Sequence, residues 1–273
     1  LLAHDCFPGR ISAASVNHDL RPEAGDECDF VAALCAERGI AHYTLKPATP
    51  IRGSIQAEAR KARYSLLNTW VGNRNIAWLA TAHHADDQLE TLIMRILRGS
   101  GIDGMSAIRA KRGHVIRPLL SFSKDMLLHF IIAQGIEPID DPSNKDQSFD
   151  RVRVRDALAQ LTGFDISLAS QSAAALDDAR AAIHWTVDRL AAAHISRTND
   201  GCILDRFDFP NEIVRRLLLK CLHICDPALS PRGRQLEAIM RGLERGETLT
   251  IGNILCKGGS TWTFTPAPKR NNS

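Results

Sequence analysis

The sequence predicts an α/β fold: a parallel sheet with helices on both faces, followed by a smaller, mostly helical domain. Three observations carry that prediction. Strand-like and helix-like stretches alternate through the first half of the chain. One strand-like run, Ile76–Ala82 (IAWLATA), holds almost no polar residue, as a strand buried on both faces requires. After residue 150 the strand patterns nearly vanish and helical spacing takes over.

The elements follow in order. Ile11–Val16 (ISAASV) reads as a short buried strand. Pro22–Arg38 reads as a helix, with Pro22 near its first turn, acidic Glu23, Asp26 and Glu27 early, and Gly39 as its stop. Ile40–Leu45 is the second strand. Ser54–Trp70 is the second helix, with Ser54 as N-cap and Gln56 and Glu58 in its first turn. Ile76–Ala82 is the third strand. Ala85–Arg98 is a helix whose Leu89, Leu92, Ile93, Ile96 and Leu97 keep helical spacing, ended by Gly99. Ser123–Gln134 is another, capped by Ser123 and closed by Gly135. Arg153–Leu161, Leu168–His194, Pro210–Ile224 and Arg232–Arg245 read as helices, and Thr248–Phe264 as two or three short strands. The turn-rich run DDPSNKDQSFD (Asp140–Asp150) sets the expected domain boundary, giving domains 1–150 and 151–273.

Composition narrows the class. The chain has 273 residues, 44% hydrophobic and 24% charged, long enough for a sizeable core without disulfide or metal support. No apolar run reaches the ~18 residues a membrane span needs, and no signal peptide is visible, so a cytoplasmic protein without a membrane partner is expected. The net charge is +3, but residues 1–150 carry 17 Lys+Arg against 18 Asp+Glu, and residues 151–273 carry 17 against 13. A basic second half suits a polyanion partner. The seven cysteines are scattered and form no CxxC pair, which argues for structural thiols rather than a zinc ribbon or redox site.

Four stretches can carry chemistry. Thr81–Gly101 follows the third strand, and side chains just past a strand's carboxyl end face the ligand crevice of a parallel sheet. His83, Asp87 and Glu90 are spaced i, i+4, i+7, and fall within roughly 60° of one another on a helix. Two carboxylates so placed repel unless a divalent metal or a substrate ammonium lies between them. The alternative is a solvated first turn whose acids complement the helix dipole. Val16–Pro22 (VNHDLRP) can line a nucleotide pocket or be a plain strand-to-helix loop. In ARKARY (Ala59–Tyr64), Arg63 can clamp a phosphate or sit on an exposed basic face. Arg151, Arg153 and Arg155 alternate; they can track an RNA backbone, or form a salt-bridged linker with Asp150 and Asp156.

Together and in this order, these stretches resemble the tRNA(Ile)-lysidine synthase family of N-type PP-loop ATPases. The match runs through VNHDLRPE (Val16–Glu23), EARKARY (Glu58–Tyr64), AHHADDQLET…RILRGSG (Ala82–Gly101), RPLL (Arg117–Leu120) and DPSN (Asp141–Asn144), covering roughly residues 10–160. The resemblance implies an adenylating α/β domain followed by a smaller helical, tRNA-contacting one. It implies a ligase that binds ATP and Mg²⁺ and adenylates the wobble cytidine of a CAU-anticodon tRNA(Ile). Free L-lysine then displaces AMP to give lysidine. On the matching positions, it implies that Asp87 and Glu90 orient Mg²⁺ or the lysine amine and that His83 positions the reacting groups. Arg63 would contact phosphate or the activated base, with Asn17 and His18 near the adenosine. Arg151, Arg153 and Arg155 would contact tRNA.

Two departures stand out. The family's SGGxDS phosphate loop belongs before residue 1 and is not in this sequence, which opens on Leu1; the expectation is that about one strand, loop and helix precede it. Val152 stands where the family often has Asn. PAPKR (Pro266–Arg270) reads as a natural tail. Three other readings compete: a PP-loop tRNA 2-thiolation enzyme, a non-catalytic RNA-binding relic without the ATP loop, and a universal-stress-type nucleotide binder. The first commonly uses paired cysteines, and here Cys221 and Cys225 fall in a predicted helix of the second domain. The last leaves His83, Asp87 and Glu90 unexplained.

Overall fold

A computed structural model describes residues 1–19, 22–49, 55–139, 150–160 and 165–268. The N-cap expected at Ser54 and the Asp141–Asn144 run lie outside the described residues. The chain divides into two compact units, Leu1–Ala174 and Ala175–Ser273.

The first unit is α/β. After a short helix α1 (Leu2–Cys6), strand β1 (Ser12–Val16) is followed by helix α2 (Ala24–Glu37), strand β2 (Ala41–Leu45) and helix α3 (Ile55–Asn73). β1 and β2 pair in parallel, from Ser12 against Ala41 to Val16 against Leu45. Such pairing needs a crossover, and α2 supplies it, packing on β1 and β2. The stop expected at Gly39 is real: it takes φ +67°, a conformation glycine enters without steric cost. Leu67 and Val71 of α3 are buried with Val16 and Leu45 packed around them.

The apolar run 76–82 forms a strand only at β3 (Leu79–Ala80). There it pairs in parallel with β5 (Val115–Ile116), which pairs antiparallel with β4 (Lys111–Arg112). The expectation of burial on both faces fails at Trp78, whose ring is 49% exposed and carries Lys111 Nζ at 4.4 Å from its centroid. Apolar content alone overstates the strand, because a strand extends only as far as its hydrogen-bonding neighbour. β4 and β5 were missed, being too short to show a period of two.

Helix α4 (Ala85–Leu97) starts at the expected residue, followed by the short α5 (Ile102–Met105). Helix α6 (Lys124–Ala133) begins at Ser123, whose hydroxyl accepts the Met126 N–H at 3.2 Å, the N-cap that the sequence predicts. Helix α7 (Asp150–Ala159) packs on α4. The unit division therefore falls inside helix α8 (Ser167–His194), at Ala174, rather than near residue 150.

The second unit keeps the expected predominance of helix but holds more strand than the sequence indicates. Besides α8, α9 (Asn211–Cys225) and α10 (Gly233–Glu244), it holds β6 (Ile195–Arg197), β7 (Cys202–Leu204), β8 (Thr248–Ile251), β9 (Ile254–Lys257) and β10 (Trp262–Pro266). These form one antiparallel sheet in the order β6-β7-β10-β9-β8. The tail strands were expected; β6 and β7 were not, because three residues cannot show an alternation. Leu204, Leu217, Leu222, Leu243, Cys256, Trp262 and Phe264 are each 0% exposed and form this unit's core.

Candidate active site

The site is built on the first turns of α4. Ala85 is fully buried and donates its N–H to Phe122 O at 2.9 Å, which pins the helix start. Asp87 Oδ2 accepts the His84 N–H at 3.0 Å, and Asp86 Oδ2 accepts the Lys124 N–H at 2.7 Å. The acids of the first turn thus satisfy orphan amides at the starts of α4 and α6.

The carboxylate pair falls on one face of α4, as the spacing requires. Glu90 is 2% exposed. A buried carboxylate needs a counter-charge and full hydrogen bonding, and α7 supplies both. Arg151 bridges the pair: its Nε donates to Glu90 Oε2 at 2.5 Å, and a terminal nitrogen donates to Asp87 Oδ1 at 2.7 Å. Arg155 Nε donates to Glu90 Oε1 at 2.7 Å. Residues 151 and 155 are one turn apart, so they share the face turned to α4. Arg153, between them, is exposed and bound to Asp150. On this helix the three alternating arginines sort into two inward and one outward.

The same contacts bear on Mg²⁺. All four oxygens of Asp87 and Glu90 accept hydrogen bonds from guanidinium or backbone N–H groups. Among the described residues, no group of three His, Cys, Asp or Glu side chains is placed to hold a metal ion. The pair fits cationic nitrogen donors rather than a metal.

His83 lies just before α4, with its Nδ1 hydrogen-bonded to Thr81 Oγ1 at 2.9 Å. Burial pushes its pKa down to about 4, against an upward pull from Asp87; Arg117, Arg60 and Arg151 lower it further. At neutral pH it is an uncharged imidazole that can position or accept a proton but carries no charge.

Beside these residues opens a cavity of about 840 Å³. His83, Arg151, the second half of α4 including Arg95, and Arg98 just past its end line one part of it. The segment after α5 lines another, through Ala107, Ile108, Arg109 and Arg112, joined by Arg60 of α3 and by Arg117. Seven of the fourteen lining residues are arginines and two, Asp103 and Asp150, are acids. Guanidiniums crowded in one cleft favour a polyanion. Arg117 is 9% exposed and donates to Arg109 O at 2.7 Å.

Asn17, His18 and Arg63 form a second group, at the end of β1. Asn17 is 3% exposed; its side chain accepts the Asp19 N–H at 2.8 Å and its own N–H donates to Leu45 O at 2.9 Å. This Asx turn carries Asp19 at φ +52°. Burial and the charge of Arg63 lower the His18 pKa. Arg63 is exposed on α3, one turn beyond Arg60. One helix therefore serves both groups, while no hydrogen bond or ion pair joins them directly among the described residues.

Sequence reasoning missed the cleft arginines and Gln88. Arg117 stood in the quoted RPLL run, and Gln88 inside the richest motif, but neither carries a charge pattern or period that separates it from its neighbours. In the second unit, Arg215 and Arg216 are paired with Glu212, and Lys220 with Asp188 at 2.8 Å. Arg216 is buried.

Known proteins resemble this chain along most of its length. Residues 3–162 match a family model described as a PP-loop domain. The tRNA(Ile)-lysidine synthase of Zymomonas mobilis is 34% identical, with 97% of this chain and 82% of that protein covered. That of Novosphingobium aromaticivorans is 34% identical over 98% and 85%, and that of Ruegeria pomeroyi 39% over 93% and 64%. A solved U34-tRNA thiolase from Methanococcus maripaludis, with a 4Fe–4S cluster, is 18% identical at a TM-score of 0.51, covering 60% of each chain, which supports the fold alone. With its PP-loop match and relatives aligned over nearly its whole length, this chain belongs to the tRNA(Ile)-lysidine synthase family.

Proposed function

We propose that the chain catalyses lysidine formation at the wobble cytidine of a CAU-anticodon tRNA(Ile). The observation that carries this reading is the Asp87–Glu90 carboxylate pair, held by Arg151 at the edge of an arginine-lined cleft. In the first step the cytosine C2 oxygen attacks the α-phosphorus of ATP, and pyrophosphate leaves. In the second, the lysine amine forms a bond to C2, the C2–O bond breaks, and AMP leaves with its electron pair. The amine's proton passes to a carboxylate or to His83.

The residues divide the work by charge. Arg151 has a half-open side chain, 38% exposed, and is the counter-charge that spans both carboxylates. A lysine ammonium can take its place between Asp87 and Glu90, which recognises the substrate and receives its proton. The released guanidinium then faces the cleft, where negative charge builds on the leaving phosphates. His83, neutral at working pH, adds no repulsion to the incoming ammonium. Arg63 and His18 bracket the end of β1, where the adenosine is assigned. Mg²⁺ is assigned to the nucleotide phosphates and not to Asp87 and Glu90. Arg153 is the member of its trio left to contact RNA.

A 2-thiolation reading requires a sulfur carrier at the cleft. Cys202, Cys221 and Cys256 are instead buried in the second unit, and Cys28 and Cys35 in α2. The test is ATP-dependent incorporation of labelled lysine into CAU-anticodon tRNA(Ile). It is run with the 273-residue chain and with any in-frame codons upstream of Leu1 restored. Incorporation by either supports the reading, and its loss in Asp87→Asn ties it to this site. Incorporation by neither overturns it and leaves RNA binding without this chemistry.

A further inference from the structure

Gln88 lies between the two site carboxylates in sequence, and both of its hydrogen bonds go to backbone rather than to a site side chain. It is 3% exposed. Its carboxamide is paired with the backbone of a single residue twenty positions on: Ile108 N–H donates to Oε1 at 2.7 Å, and Nε2 donates to Ile108 O at 2.9 Å. A primary amide is the one side-chain group offering a donor and an acceptor in the geometry of a neighbouring strand. The residue before this clamp, Ala107, sits at φ +48°, a conformation that costs a non-glycine residue energy and persists only where its surroundings hold it. The residue after it, Arg109, accepts the Arg117 guanidinium on its carbonyl at 2.7 Å. Gln88 thus fixes Ile108, and through it the segment that presents Ala107, Arg109 and Arg112 to the cleft.

We propose that Gln88 is a positioning residue for polyanion binding: its carboxamide, docked on the Ile108 peptide, holds the arginine wall of the cleft in register with α4, so that the wall can engage RNA phosphodiesters. The proposal rests on the reading that the substrate is tRNA. Gln88 touches no substrate itself. Its loss lets the 106–110 segment relax, so that Arg109 no longer shares a fixed cleft with Arg95 and Arg98. Phosphate contacts are then lost without change at Asp87 and Glu90.

The experiment compares wild type with Gln88→Met, close in volume but unable to make either bond, and Gln88→Glu, which keeps the acceptor for Ile108 N–H but sets a carboxylate against Ile108 O. Three quantities are read: tRNA affinity against salt concentration, KM and kcat for lysine incorporation, and hydrogen exchange of the peptide spanning 104–112. For Gln88→Met we expect faster exchange in that peptide and about tenfold weaker tRNA binding. The slope of log affinity against log salt should fall by about one per lost contact. KM for tRNA should rise while kcat stays near wild type, a split that general destabilisation does not produce. Gln88→Glu should shift the same way. Wild-type affinity, salt slope and KM in Gln88→Met overturn the proposal, as does unchanged exchange at 104–112. A wild type that binds tRNA but incorporates no lysine sinks the functional reading alone, leaving the affinity and exchange arms to decide on Gln88. A wild type that does not bind tRNA overturns both.

Discussion

Arg155 donates its Nε proton to Glu90 Oε1 at 2.7 Å, and this bond joins α7 to α4 through residues sixty-five apart in sequence. Glu90 is the buried partner and Arg155 the half-open one, with side-chain exposures of 3% and 36%. Removing the carboxylate leaves Arg151 with Asp87 as its counter-charge, whereas removing the arginine leaves a buried anion still held by Arg151. A double-mutant cycle with Glu90→Gln and Arg155→Met should therefore give a coupling of roughly 1–2 kcal/mol in urea unfolding, scaled down for solvent screening at the arginine. Strict additivity would show that the pair contributes nothing to stability.

His83 sets a pH dependence. Its pKa is pushed down to about 4 in the folded chain, against the ordinary 6.5. Above pH 6.5 the imidazole is neutral in the folded and unfolded chain and adds no linkage term. Between 6.5 and about 4 the unfolded chain binds the extra proton, so stability falls as pH falls, by at most about 3 kcal/mol. The variant His83→Gln should flatten the stability profile in that window and leave it unchanged at pH 8. An unchanged acid slope, measured as urea midpoint against pH, would remove His83 as its source.

Gly201 cannot carry a side chain. A Cβ there would lie 1.9 Å from the Phe264 carbonyl oxygen, a backbone atom that cannot swing aside. Gly201→Ala should destabilise the second unit by about 2–4 kcal/mol, through displacement of β10. Calorimetry checks it: a wild-type Tm would mean that the backbone yields at small cost.

The thiols should react in two classes. Cys6 is exposed, whereas Cys28, Cys35, Cys202, Cys221 and Cys256 are buried. Burial pushes Cys225 up to about 11 and Cys256 up to about 12, so neither is a thiolate at pH 8. An aromatic disulfide reagent at pH 8 should titrate Cys6 rapidly in the native chain and the buried set only after unfolding. Fast native reaction at Cys256, mapped by mass spectrometry, would contradict the packing described for the second unit.

The long amphipathic helices were legible because periodicity and caps are local. α4 begins at the residue the sequence indicates, and Ser123 caps α6 as its hydroxyl demands. The short strands were not legible: β3, β4 and β5 span two residues each, and only their partners make them strands. At the site, the shared face of Asp87 and Glu90 followed from spacing. Nothing in the spacing said that Arg151 and Arg155 would neutralise them, because that pairing depends on how α7 lies against α4.

Family, fold class and the residue types at the candidate site are readable along the chain, since motif order and helical period are local properties. Tertiary structure alone decided what each charge faces. It turned two of three alternating arginines inward, gathered scattered arginines into one cleft, and set Gln88 against Ile108. Those outcomes rest on long-range packing, where a buried carboxylate or carboxamide must find its partner and the partner can lie anywhere in the chain.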